Sequence, residues 1–202
     1  KLDPLVAEEF ELYLRTMARA GYDAACIGPG DLYSGSPLVR ARAWKGELPF
    51  LGAGIRSQGE PLYDSSLVVD RGGVRIGILG YSELLEQGFL RQAHEVNLVG
   101  IAFPATVAAV ESELVELREQ VDLLVVAGRM SSQSLRELCR PELGVDLVLL
   151  GGALHFEALH GGPTGYLDST LVVLDQERNF GLNHLTLFLS SAKDLVGLEW
   201  KT

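Results

Sequence analysis

The chain has 202 residues, 47% of them apolar, and a formal net charge of −10. Such a length and composition support one sizeable folded core and exclude a disordered chain. The acidic balance excludes nucleic acid and anionic membrane surfaces as partners, which need clustered Lys and Arg, and no apolar run approaches the ~20 residues of a membrane-inserted helix.

In chain order, Asp3 is placed to cap a helix, Pro4 suits its first position, and Glu8 and Glu9 fall in its early turns. Val6, Phe10, Tyr13, Leu14 and Met17 share one face, and Gly21 is the stop. Ala24-Ala25-Cys26-Ile27 predicts a short buried strand that ends at the corner Gly28-Pro29-Gly30-Asp31. Phe50 to Ile55 predicts a strand after Pro49, and the β-rich runs Ser66–Asp70 and Val74–Gly80 predict a hairpin around Arg71-Gly72-Gly73. A helix follows over about Pro104 to Gln120, with Val107, Val110, Leu114, Leu117 and Val121 as its buried stripe. Leu123–Ala127 and Val145–Leu150 are continuous apolar runs, as in strands covered on both faces, with a short helix over Ser131–Leu138 between them. Thr170–Leu174 and Leu182–Leu189 read as a closing pair of strands joined around Glu177-Arg178-Asn179.

No repeat or low-complexity linker divides the sequence, so residues 1–202 read as one domain. The alternation of helix and strand predicts an α/β fold, and the hairpins make its sheets mixed. Ala24–Ile27, Leu123–Ala127 and Val145–Leu150 are expected parallel and adjacent in one sheet. Ligand sites in such folds gather beyond the carboxyl ends of strands, which points to three loops: Gly28–Gly35, Ala127–Ser132 and Gly151–His155.

Several motifs are absent. Cys26 and Cys139 lie in apolar contexts and read as buried thiols, with no CxxC or zinc-ligand spacing. There is no GxxxxGK, no GxGxxG at a strand-to-helix turn and no GxSxG, so neither a phosphate loop nor a serine nucleophile is supported. His94 lies in a polar loop, His160 beside the turn Gly161-Gly162-Pro163, and His184 in an alternating strand.

At the three loops the sequence resembles the metallophosphoesterases of the 5′-nucleotidase type. That family carries a segment like GYDAVTLGNHEFDYG, where Gly21 to Gly35 here reads GYDAACIGPGDLYSG. Leu51 to Tyr81, Asp122 to Ser131 (DLLVVAGRMS) and Gly144 to His155 (GVDLVLLGGALH) follow in the family's order, and the resemblance runs from about Leu12 to Leu189. It implies mixed sheets flanked by helices, a four-layer α/β/β/α sandwich, here partial.

The resemblance also implies two divalent metals that activate water and neutralise phosphate charge. The family's Asn-His pair falls on Pro29 and Gly30, and its acidic partner on Asp31. The histidine after the middle strand falls on Arg129, and the last pair on Ala153 and His155. Asp31, Arg129 and His155 are thus the vestigial site residues, and Asp31 and Arg129 are expected to pair as ions in the vacated pocket. The family's earlier half, which supplies further ligands, has no counterpart in this sequence, and is expected either to have been removed or to sit on another chain. The expected function is a degenerate, non-catalytic module with no metal cofactor, binding or assembling with a protein partner or with the rest of a larger periplasmic or extracellular protein. The alternative is a metal-dependent phosphoesterase acting on nucleotides or other phosphate monoesters.

Overall fold

A computed structural model describes residues 4–33, 48–84, 98, 100–151, 164–174 and 184–201. Its centre is a mixed six-stranded sheet in the order β10-β11-β9-β8-β6-β5. The strands are β5 (Ser66–Arg71), β6 (Val74–Ser82), β8 (Leu123–Arg129), β9 (Leu147–Leu150), β10 (Thr164–Leu167) and β11 (Thr170–Leu174). β6, β8, β9 and β11 run parallel, and β5 and β10 close the sheet as antiparallel edges. The predicted hairpin is β5–β6, with Asp70 Oδ1 accepting the Gly73 N–H at 3.0 Å across the turn.

The continuous apolar runs are explained by two covered faces. Side chains alternate across a strand. Leu124, Val126, Val148 and Val172 therefore meet α3 (Glu111–Arg118) and α4 (Ser132–Leu138), represented by Leu114, Leu117, Leu135 and Leu138. The intervening Leu123, Val125, Leu147, Leu171 and Val173 face the opposite way, onto Leu185, Leu187, Leu195 and Leu198. Those leucines belong to the antiparallel pair β12 (His184–Leu189) and β13 (Leu195–Lys201). The described layers are thus helices, large sheet and small sheet. Each fully buried leucine or valine contributes roughly 1.5–3 kcal/mol.

Two charge clusters lock the amino end of β8. Arg118 donates through Nη1 to Gly144 O at 3.0 Å and to Asp146 Oδ2 at 2.6 Å, and through Nη2 to Val121 O at 2.7 Å and Asp122 O at 2.9 Å. Asp122 Oδ2 accepts the Arg75 backbone N–H at 2.8 Å and Lys193 Nζ at 2.7 Å, which pins the β12–β13 turn to the large sheet.

A second unit packs around Ile27, Leu32, Ile55, Tyr63 and Leu98. It contains β1 (Ala25–Cys26), which follows α1 (Pro4–Arg19) in the chain, with α2 (Pro29–Tyr33), β2 (Phe50–Leu51) and the small sheet of β3 (Arg56–Ser57), β4 (Glu60–Pro61) and β7 (Ile101–Ala102). It joins the large sheet at Gly80, whose O accepts the Ala53 N–H at 2.7 Å and whose N–H donates to Ser65 O at 3.1 Å. A Cβ there would lie 2.6 Å from Leu51 O, so the approach requires glycine.

Five expectations are corrected. The strand at Ala24–Ile27 is not in the large sheet: β1 pairs in parallel with β2 in a separate two-stranded sheet. A short apolar run shows burial but not which sheet buries it. The run predicted over Phe50–Ile55 is extended only at Phe50–Leu51, and the chain then turns through Gly54, with φ of +70°. Thr170–Leu174 and the strand from His184 do not pair with each other, since β11 lies between β10 and β9 and β12 pairs with β13; the turn at 177–179 lies outside the described residues. The helix predicted over Pro104–Gln120 begins as a 3-10 turn at Val107–Ala109 and becomes α-helical only at Glu111, because β-branched Thr106, Val107 and Val110 are weak helix formers. On α1, Leu14 is buried but Tyr13 is 62% exposed, so the predicted stripe is narrower than read.

Candidate functional site

β6 and β8 stay in register to their carboxyl ends, where Ser82 lies opposite Arg129, and β8 meets β9 at Gly128 and Leu150. The strands end together, so the loops that follow them converge. Gly128 makes this possible. Its φ is +149°, its O accepts the Gly151 N–H at 2.9 Å, and a Cβ would lie 1.9 Å from Tyr81 O.

Ser82 is the hub of the convergence. Its buried Oγ accepts the Arg129 N–H at 3.2 Å, and the neighbouring Glu83 N–H donates to Arg129 O at 2.8 Å. The backbone of Arg129 is therefore fixed on both sides, with its side chain half-buried. From the second unit, Gly28 reaches the same point. A Cβ on it would lie 3.9 Å from Ser82 Oγ and 3.6 Å from Asp31 Oδ2.

Asp31 has a local structural role. Pro29 opens α2, where its lack of an N–H costs nothing, and Asp31 is the third helical residue. Its Oδ2 turns back to accept the Gly28 N–H at 2.8 Å, half of a capping box. Burial raises its carboxyl above the ordinary value of 3.8, and the hydrogen bonds from the Gly28 and Asp31 N–H groups pull it down again. The structure thus brings the Asp31 loop and the Arg129 backbone to one serine. His155 and Ala153 lie outside the described residues, as do His94 and His160.

Sequence reasoning missed Glu83. It is 6% exposed, yet it accepts the Tyr81 hydroxyl at 2.8 Å and the Ser134 hydroxyl on Oε1, and the Ser131 N–H at 2.7 Å on Oε2. It therefore ties the end of β6 to the N-terminus of α4, where helical N–H groups lack intrahelical acceptors. Burial, and then acceptance of its proton by Glu83, raise the Tyr81 phenol well above its usual range, so it stays a donor. The available signal was a carboxylate directly following a nine-residue strand whose last residues are all buried.

Cys139 is buried, as read, whereas Cys26 is only part-buried. Burial pushes the Cys26 thiol up to about 12 and the Cys139 thiol up to about 11, which keeps each protonated. Among the described residues, no group of three or more His, Cys, Asp and Glu comes together, and no helix is long and apolar enough to cross a membrane.

No family model matches the sequence, and no curated protein matches it. Solved structures do match. The sulfate thiohydrolase SoxB of Thermus thermophilus aligns with a TM-score of 0.71 and 18% identity, over 93% of this chain and 34% of its own. A 5′-nucleotidase precursor from Thermus thermophilus aligns at 0.65 and 19% identity, over 93% of this chain and 40% of its own. A 5′-nucleotidase described for Staphylococcus aureus aligns at 0.67 and 13%, over 94% and 39%. The chain thus spans 34–40% of the length of these structures. It has the mixed α/β fold of the 5′-nucleotidase-type metallophosphoesterases, as the sequence resemblance implied.

Proposed function

We propose that this domain keeps the 5′-nucleotidase-type scaffold without its metal pair, and serves as a non-catalytic binding or assembly module of a larger exported protein. The observation that carries this reading is Asp31. It is the one carboxylate at the ligand positions of the first loop, and it is engaged in capping α2 through Gly28.

Donor chemistry supports the same conclusion. Each cation of a metal pair needs four or more ligands, mostly from protein. Pro29 and Gly30 offer no side-chain donor, and Arg129 is a permanent cation that repels a metal ion. These residues do not suit two divalent metals, and no hydrolytic step is derived through them. In this reading the Arg129 guanidinium supplies the positive charge that a buried Asp31 carboxylate needs. A double-mutant cycle on the two should give a coupling of about 1 kcal/mol, since the pocket is part-open.

Exposure to manganese and zinc, dialysis and elemental analysis test the proposal, together with hydrolysis of p-nitrophenyl phosphate and AMP. Substoichiometric metal and no turnover are expected. Near-stoichiometric metal with turnover, both lost in an Asp31→Ala, His155→Ala double variant, would establish a metal-dependent phosphoesterase instead.

A further inference from the structure

Between the end of β6, the segment 101–106 and α4 lies a cleft of about 600 Å³. That volume is in the range of small-molecule sites. Leu84, Ile101, Phe103 and Pro104 give it an apolar wall. Its polar side is acidic: Glu83 and Glu137 line it, and among the described residues no basic side chain does. A phosphate or carboxylate entering the cleft would meet two like charges on its described lining, which opposes binding.

Glu83 retains capacity to bind. A carboxylate offers about four acceptor positions. Tyr81 and Ser134 occupy Oε1, whereas Oε2 accepts only the Ser131 N–H. Glu137 is similar, with Oε1 accepting the Gln133 side-chain amide at 3.0 Å. The two carboxylates also line the same cleft, one from the end of β6 and the other from α4. A buried acid with an open acceptor position is best completed by a donor carrying positive charge, which makes the stronger, charge-assisted hydrogen bond.

We propose that this cleft binds a small organic ammonium ion, its charged nitrogen taken up by Glu83 and Glu137 and its apolar body by the wall of Leu84, Ile101, Phe103 and Pro104. The site deepens the binding role proposed above and rests on it, but it is separate from the loop of Asp31.

Calorimetric titration of the 202-residue chain with benzylamine, benzyl alcohol and benzoate tests it. Benzylamine should bind at least about tenfold more tightly than benzoate, with the neutral alcohol between them. Glu137→Gln should weaken benzylamine about tenfold and leave benzyl alcohol unchanged. Glu83→Gln should do the same if the chain tolerates it. Ala105→Trp, at an exposed lining position, should abolish binding of both without disturbing the fold, so the test stands even if Glu83→Gln unfolds. Absent saturable benzylamine binding, benzoate affinity equal to or above that of benzylamine, or full affinity in Ala105→Trp overturns the proposal. Metal retention is measured separately. A chain that holds metal and still binds benzylamine overturns only the loss of the metal pair, whereas a metal-free chain that ignores benzylamine overturns only the ammonium site.

Discussion

Gly80→Ala tests the joint between the two units. The new Cβ would lie 2.6 Å from Leu51 O, 2.7 Å from Leu51 C and 2.8 Å from Leu51 Cβ, whereas ordinary contact begins at 3.4 Å. The backbone of β2 must therefore retreat by about 0.8 Å, and backbone cannot rotate aside as a side chain can. Leu51 is buried and the Ala53 N–H to Gly80 O bond is already short at 2.7 Å, so neither packing nor hydrogen bonding has slack. Overpacking costs about 1–3 kcal/mol and a strained buried hydrogen bond about 1 kcal/mol more, roughly 3 kcal/mol together. For a chain of this size that is a fall in Tm of about 6–12 °C by circular dichroism. Gly30→Ala is the control, because a Cβ there meets nothing within 4 Å on a helical backbone. Its Tm should hold or rise by about 1–3 °C. A Gly80→Ala chain melting within about 2 °C of wild type would refute the close packing of β2 on β6.

Burial raises the Asp31 carboxyl above 3.8. The folded state then holds that proton longer than the unfolded state, so stability falls as pH rises through the interval between the two values. Asp31→Asn should therefore gain on wild type in urea midpoint as pH rises above 3.8. The opposite trend would mean that a facing positive charge outweighs burial. With its side chain buried and its thiol pushed up to about 11, Cys139 should resist a disulfide reagent in the native chain and react in denaturant; rapid native labelling would contradict its burial. Arg118→Met removes four donated bonds and should cost about 2–3 kcal/mol by chemical denaturation, a loss below about 0.5 kcal/mol counting against the clamp.

The strands β8, β9 and β11 of the large sheet were legible because covering on both faces leaves an unbroken apolar run, as at Leu123–Val126, whereas the edge strand β10, with the mixed sequence TGYL, was not read as a strand. The β5–β6 hairpin and the capped helix after Ser131 were legible because their signals are local: Gly72-Gly73, and a serine whose Oγ accepts the Ser134 N–H at 3.2 Å. The sheet membership of Ala25–Cys26 was not, since it depends on Leu51, far along the chain. The same holds for the strand from His184, whose partner β13 carries an ordinary mixed pattern. At the site, the residue types of the first loop were readable but the turn of Asp31 onto Gly28 was not. Glu83 was hidden because its meaning lies in Ser134, 51 positions away.

The parallel pairing of β6 with β8 also sets a schedule. Arg75 and Asp122, bonded across that pair, stand 47 positions apart, whereas β5 and β6 are joined by a two-residue turn. Local contacts form early and distant ones late, because the intervening chain must first be drawn in. On a ribosome adding about 5–20 residues per second, β8 follows β6 by roughly 2–9 s. Through that interval Leu79 and Tyr81, both fully covered in the finished molecule, have neither β8 beside them nor α3 and α4 above them. The nascent hairpin thus stands with its apolar face uncovered until the middle strand arrives.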